Sequence, residues 1–319
     1  ANRTSWPVRA TIETFEGAEA QRVAHEIPSR FGDNSWQVSF NERFLQDASQ
    51  TELWKITAGH ELFHLMQRLY DPRNRISKAR NENDWFWYKE ALSTWFERRK
   101  ASDSSYIPST VRYVPGSNNS SDNYAFLRSH GLEYPYSGAH GAASAVQEHG
   151  YGASMYLQHL SNAKGENAVA DVLKLMATPG AGIFGGSLYS PVQAIDRVSG
   201  DVGMSWRRFC ESYMAGTVYN RSPMFPGPGE ILGKSLRYLF RTEKDVSGSF
   251  RWNAQDLSAN LVTLDFRPEG GYVWPKDSQL IMELVDPRGE SATISCTRTR
   301  KGEWQQHPIF NRQHEPENC

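Results

Sequence analysis

Three cysteines among 319 residues leave no paired set of the kind that builds a zinc ribbon. Net charge is also missing. Lys and Arg number 35 against 36 Asp and Glu, for a formal charge of −1, so no global basic field exists to gather nucleic acid or anionic lipid. No apolar run approaches the roughly 18 to 20 residues of a spanning helix, which predicts no membrane span. Internal repeats, a phosphate-binding glycine loop and a nucleophile-elbow serine are absent too. No signal peptide opens the chain at Ala1 and no initiator Met precedes it. The expectation is a trimmed, mature chain that is secreted, extracellular or periplasmic.

What the chain does contain is His-Glu-x-x-His, within Thr57-Ala58-Gly59-His60-Glu61-Leu62-Phe63-His64-Leu65-Met66-Gln67. Residues i and i+4 share a helix face. His60 and His64 can therefore present imidazole nitrogens to one metal ion, and Glu61, one step round the cylinder, borders the same spot. That spacing is the geometry of zinc hydrolases. Leu53, Ile56, Leu62, Phe63, Met66 and Leu69 are expected as the buried stripe of this helix. Ser49-Gln50-Thr51-Glu52 reads as the capping box that opens it.

After Asp71-Pro72 a polar loop leads to a second helical stretch, Trp85 to Arg99, with Asn83 or Asp84 as its cap and a basic end that suits the helix dipole. Catalytic zinc takes three protein ligands and keeps one position open. Glu90 is the expected third ligand, because its aromatic neighbourhood would make an uncompensated carboxylate costly. Glu97, seven positions on, falls within about 20° of the same helix face.

These two stretches, His60-Glu61-Leu62-Phe63-His64 and Glu90-Ala91-Leu92-Ser93-Thr94-Trp95-Phe96-Glu97, resemble the gluzincin clan of metallopeptidases. The likeness is to its thermolysin-like catalytic core and, more narrowly, to secreted bacterial metallopeptidases. The resemblance implies His60, His64 and Glu90 as ligands of Zn²⁺ and Glu61 as general base. It departs at Thr94, where thermolysin-like enzymes carry an aspartate, so either Thr94 or Glu97 is expected to hold a ligating histidine. The resemblance also favours Tyr151, at a Tyr-Gly helix opening, over His140 and His149 as the group that stabilises a tetrahedral oxyanion.

Around this centre the chain reads as follows. Val8–Ile12 is a strand, Ala18–Ile27 a helix ended by Pro28, and Trp36–Phe40 a half-buried strand at the edge of a small sheet flanking the metal helix. Residues 101–146 have the composition of a long polar loop. Helices resume at His149, from Ala168 to Met176, from a Ser190-Pro191 start, and from Ser205 to Tyr213. Phe225-Pro226-Gly227-Pro228-Gly229 is a linker. Beyond it, alternation at Val262–Phe266, Leu280–Leu284 and Ala292–Cys296 predicts a small antiparallel β-sandwich. Cys210 is expected as a buried free thiol, and a Cys296–Cys319 disulfide is left open.

The predicted chain is thus α+β. A zincin-like domain over residues 1–224 combines a small N-terminal sheet, the active-site helices and a helical subdomain, and an all-β sandwich covers 225–319. The expected function is a zinc-dependent endopeptidase acting on a protein or peptide substrate. The rival is a non-catalytic binding or adhesion protein on a zinc-stabilised gluzincin scaffold. Glu61 argues against that rival, since a site that only binds needs no carboxylate beside its metal. A non-peptide amide or ester substrate is compatible with the same residues.

Overall fold

The computed structural model describes residues 8–17, 24–27, 36–72, 85–112, 131–133, 143–180, 186–225, 236–242, 257, 259, 262–268, 279–285, 291–298, 304–306, 309–310 and 316–317. Several of the residues singled out above lie outside these: Asn83, Asp84, His140, Pro226 to Gly229 and Cys319. The chain is α+β and divides into two compact units, Ala1–Leu236 with Trp252–Val262, and Arg237–Arg251 with Thr263–Cys319.

The first unit opens with a three-stranded sheet of β1 (Val8–Glu13), β2 (Ala24–Ile27) and β3 (Trp36–Asn41). Its order is β1-β3-β2, with β1 parallel and β2 antiparallel to β3. Two expectations are corrected here. Ala24–Ile27 is a strand rather than the end of a helix, and β3 is central rather than at an edge. The two corrections have one cause: β3 offers a second hydrogen-bonding edge, and pairing with it overrides a weak local helix preference in the four residues before Pro28. Val38 and Phe40 point from β3 onto Ala58 and Leu65 of the next long helix, with Trp54 tilted against Phe40 at 5.6 Å.

A short helix α1 (Glu42–Gln46) leads into α2 (Thr51–Leu69), which carries both histidines. The expected capping box does not form. Asp47 instead accepts from Ser49 N, and Gln50 stands at the N-cap without a side-chain capping bond. Glu52 turns away to accept from the backbone N–H and hydroxyl of Ser102, at 2.6 and 3.0 Å. The expected stripe is also rotated. Ile56 is buried, but Leu53, Leu62 and Met66 are each at least 40% exposed. The helix buries Ala58 and Leu65 on the sheet and seats Phe63 on Phe96 of the next helix, so its apolar contacts fall on two faces rather than one.

That next helix, α3 (Phe86–Lys100), is enclosed on most sides, with Trp87, Tyr88, Glu90, Ala91, Leu92, Ser93, Thr94 and Trp95 all buried. Such all-round burial marks a central core helix. It packs between α2 and α4 (Ala143–Lys164). The start of α4 at Ala143, six residues before the expected one, places Tyr151 two turns inside the helix rather than at its opening. Close approach is permitted by glycine. A Cβ at Gly59 would lie 2.7 Å from Lys100 Cγ, and one at Gly150 would lie 2.5 Å from the Trp87 carbonyl oxygen and 2.6 Å from Glu90 Cβ.

Three more helices complete the core: α5 (Asn167–Met176), α6 (Pro191–Ser199) and α7 (Val202–Met214). Ser190 and Gln193 form a reciprocal capping box at α6, with Pro191 in its first turn. α7 is capped by Asp201, not opened by Ser205, whose hydroxyl instead pairs with that of Tyr156 at 2.9 Å. Asp201 prevails because it lies at the chain reversal after Gly200, the left-handed residue that ends α6. Cys210 is a half-buried free thiol against this core.

The remaining strands are β4 (Leu236–Thr242), β5 (Val262–Pro268), β6 (Gln279–Val285), β7 (Ser291–Arg298), β8 (Trp304–Gln306), β9 (Ile309–Phe310) and β10 (Pro316–Glu317). β6 and β7 pair antiparallel from Gln279↔Thr297 to Val285↔Ser291, β8 and β9 pair with β7, and β10 pairs with β9. β4 and β5 form a separate pair. Among the described residues no helix is long and apolar enough to cross a membrane.

Candidate metal centre

His60 and His64 leave α2 one turn apart, their ring centroids separated by 5.0 Å and nearly perpendicular. Glu90 reaches both from the buried middle of α3. Its Oε2 is 3.7 Å from Nε2 of His60 and its Oε1 is 3.6 Å from Nε2 of His64. One ligand atom from each of the three residues lies within 4.8 Å of the other two. His60 is 8% exposed and Glu90 4%, so these groups converge where desolvation makes an uncompensated charge expensive.

The other nitrogen of each ring is already engaged. His60 Nδ1 is 2.8 Å from Glu97 Oε1. His64 Nδ1 lies 3.1 Å from Ser93 Oγ and 3.4 Å from Gln67 Oε1. Gln67 is itself buried and anchored, since its Nε2 donates to the Lys89 carbonyl at 2.8 Å and to Ser93 Oγ at 3.0 Å. Bonds of this kind hold the ring and leave Nε2 as the coordinating atom.

Electrostatics tie the three groups together. Burial by itself would push the His60 imidazolium down, but the Glu90 and Glu97 carboxylates outweigh it and hold the pKa up at about 10. For His64 burial wins, and the pKa falls to about 4 despite the pull of Glu90. Burial would raise the Glu90 carboxyl, yet the two histidines keep it low, with a further hydrogen bond from Gln147. A proton on His60 thus supplies positive charge where a cation would.

No family model, curated protein or solved structure matches this chain. The donor set itself suits a metal ion. Two imidazole Nε2 atoms and a carboxylate form a mixed nitrogen and oxygen set, and the buried Glu90 Oε2 has no hydrogen-bond partner, which leaves a lone pair for coordination.

The other expected residues take distinct places. Glu61 is half-buried beside His60, and its charge contributes to holding the His60 proton. The Tyr151 ring stands edge-on to His60, with centroids 6.4 Å apart. Of the two residues considered for holding a histidine, Glu97 makes that contact. The Thr94 hydroxyl is buried with no hydrogen-bond partner. His149 packs on Trp87 with Nε2 3.3 Å from the Leu132 carbonyl oxygen, in the core rather than beside the three ligands.

Sequence reasoning passed over Gln67, Ser93, Gln147, Gly150 and Tyr106. The first two carry a readable signal, since Gln67 follows His64 by three positions and Ser93 follows Glu90 by three, the spacing of neighbours on a helix surface. Gln147 is hidden by a helix start set too late, and Gly150, inside the expected helix, owes its role to a close approach to Trp87 and Glu90 that lies far away in sequence. Tyr106, whose hydroxyl donates to Glu97 Oε2 at 2.8 Å, lies beyond α3, where helical periodicity offers no guide.

Proposed function

We propose that this chain is a zinc-dependent hydrolase, an endopeptidase with a gluzincin-like catalytic core, in which His60, His64 and Glu90 hold the metal. The observation that carries the reading is the buried convergence of Glu90 with the two Nε2 atoms, while both Nδ1 atoms are engaged elsewhere and Glu61 sits next along α2. Zinc is favoured over other divalent ions because a set of two histidines and one glutamate, with room for a fourth donor, is its usual catalytic environment. When bound, zinc supplies a Lewis acid that polarises a carbonyl and acidifies water.

The residues of the chain do the rest. Glu61 takes a proton from the attacking water and delivers it to the leaving amine. Glu97 and the Gln67–Ser93 pair fix the two imidazoles. Tyr151, beside His60, is the donor assigned to the developing oxyanion. The reading includes a zincin-like fold for the first unit, a sandwich for the C-terminal strands, and a secreted protein acting on peptides.

The test is Glu61→Gln in the full chain. It should keep one zinc per chain and lose peptide hydrolysis by about 10²- to 10⁴-fold. Undiminished cleavage by that variant would remove the mechanism. A wild-type chain that holds zinc but cleaves nothing in a peptide library would point to the non-catalytic binding protein instead.

A further inference from the structure

Glu97 is held from both sides. Oε1 faces Nδ1 of His60 at 2.8 Å, and Oε2 accepts from the Tyr106 hydroxyl at 2.8 Å. An ionised carboxylate only accepts, so the His60 nitrogen facing it, Nδ1, keeps its proton, and Nε2, which faces Glu90, is the nitrogen whose proton a metal ion displaces. A carboxylate gripped at one oxygen can rotate out of this arrangement. One gripped at both cannot without breaking two charge-assisted bonds.

The grip comes from a braced segment. Tyr106 lies six residues past the end of α3, and its backbone N–H donates to the Asp103 carbonyl at 3.0 Å. The Asp103 side chain accepts from Ser105 N at 2.7 Å, and Arg98 of α3 donates to the Ser104 carbonyl at 3.2 Å. The hydroxyl also keeps its proton. Burial, then the charge of Glu97, push its pKa well above the ordinary tyrosine value, so it stays a donor across the working range of pH.

We infer that Tyr106 is a positioning residue of the metal centre. Acting through Glu97, it fixes the tautomer and ring orientation in which His60 offers Nε2 to the metal; the inference rests on the reading of His60, His64 and Glu90 as metal ligands. The outer bonds are asymmetric. His60 is backed by a carboxylate that a phenol pins, His64 by a neutral amide and a hydroxyl. A carboxylate behind an imidazole makes it the more basic ligand, so disturbing the Tyr106–Glu97 arm should weaken metal binding by more than its exposure suggests.

The test uses the full chain, stripped with chelator and titrated with Co²⁺ and Zn²⁺ against a chromophoric competitor. Tyr106→Phe keeps the ring and removes only the hydroxyl. It should lower metal affinity by about 10- to 100-fold, alter the visible spectrum of bound Co²⁺, and lower the melting temperature of the stripped chain by only about the few degrees that one lost hydrogen bond costs. Glu97→Gln should lose at least as much, and the double variant no more than Glu97→Gln alone, because one residue acts through the other. Affinity of Tyr106→Phe within about twofold of the unmodified chain, or fully additive losses, would overturn the inference while leaving the metal centre standing. If the unmodified chain takes up neither ion, the metal reading falls and the role of Tyr106 falls with it.

Discussion

Gly150 stands so close to Glu90 that a Cβ on it would lie 2.6 Å from the Glu90 Cβ. The same Cβ would lie 2.5 Å from the Trp87 carbonyl oxygen, a backbone atom that cannot swing aside. Gly150→Ala must therefore part α4 from α3 at the turn that carries the carboxylate. Overpacking of this kind costs about 1–3 kcal/mol. The expected outcome is a lower melting temperature by circular dichroism together with weaker metal uptake. Wild-type behaviour in both would show that the helices do not meet there.

Gln67 offers a separate handle on His64. Gln67→Leu keeps the bulk but deletes the contact with His64 Nδ1 and the bonds to the Lys89 carbonyl and Ser93. Removing buried bonds costs about 1–3 kcal/mol, and a ring left unheld should bind metal about 10- to 100-fold more weakly. Chelator competition and urea denaturation measure the two losses, and a stable variant with intact affinity would contradict the assigned role.

Metal and proton should compete at His60. Its pKa is held at about 10 in the fold, against about 6.5 in an unfolded chain. A raised pKa contributes stability that is complete below the unfolded value and is lost as pH rises toward 10. The lowered pKa of His64, about 4, works in the opposite direction: its stability is present above 6.5 and lost as pH falls toward 4. The stripped chain should therefore be most stable near the ordinary histidine pKa and weaken on both sides. Near pH 7.5, metal binding should release about one proton, the one on His60. Calorimetry in two buffers of different ionisation enthalpy measures that release, and a value near zero would mean that His60 is neutral beforehand.

Ser190→Ala provides a control remote from the centre. It deletes the side chain that accepts from Gln193 N at 3.2 Å, and loss of such a cap costs about 1 kcal/mol. Stability should fall by that amount in thermal denaturation with metal affinity unmoved. A change in affinity would mean that the two regions are coupled.

Much of the site is legible in the sequence because helical spacing fixes direction. His60 and His64 share a face by their separation alone, and the crowded surroundings of Glu90 single it out as a carboxylate in need of compensation. Spacing cannot choose between Thr94 and Glu97, since that choice depends on which side chain spans the gap to His60, and the longer Glu97 does. The errors have a common origin in long-range partners. Glu52 leaves its capping position for Ser102, 50 residues away, Ala24–Ile27 leaves a helical pattern for the open edge of β3, and α2 turns Leu62 and Met66 outward because it packs on a sheet and a helix at once. Local composition carries none of these contacts.

The bond between Glu52 and Ser102 joins the start of the helix bearing the histidines to the residue just past the end of the one bearing Glu90. Glu52 is half-buried, and its carboxyl is kept low chiefly by the Ser102 backbone N–H and then by the Ser102 hydroxyl. The Ser102 amide proton is therefore a natural spectroscopic gauge of helix pairing. Its NMR resonance should lie downfield, move upfield as Glu52 is protonated, and report in real time whether the two ligand-bearing helices stay together when metal is added or withdrawn.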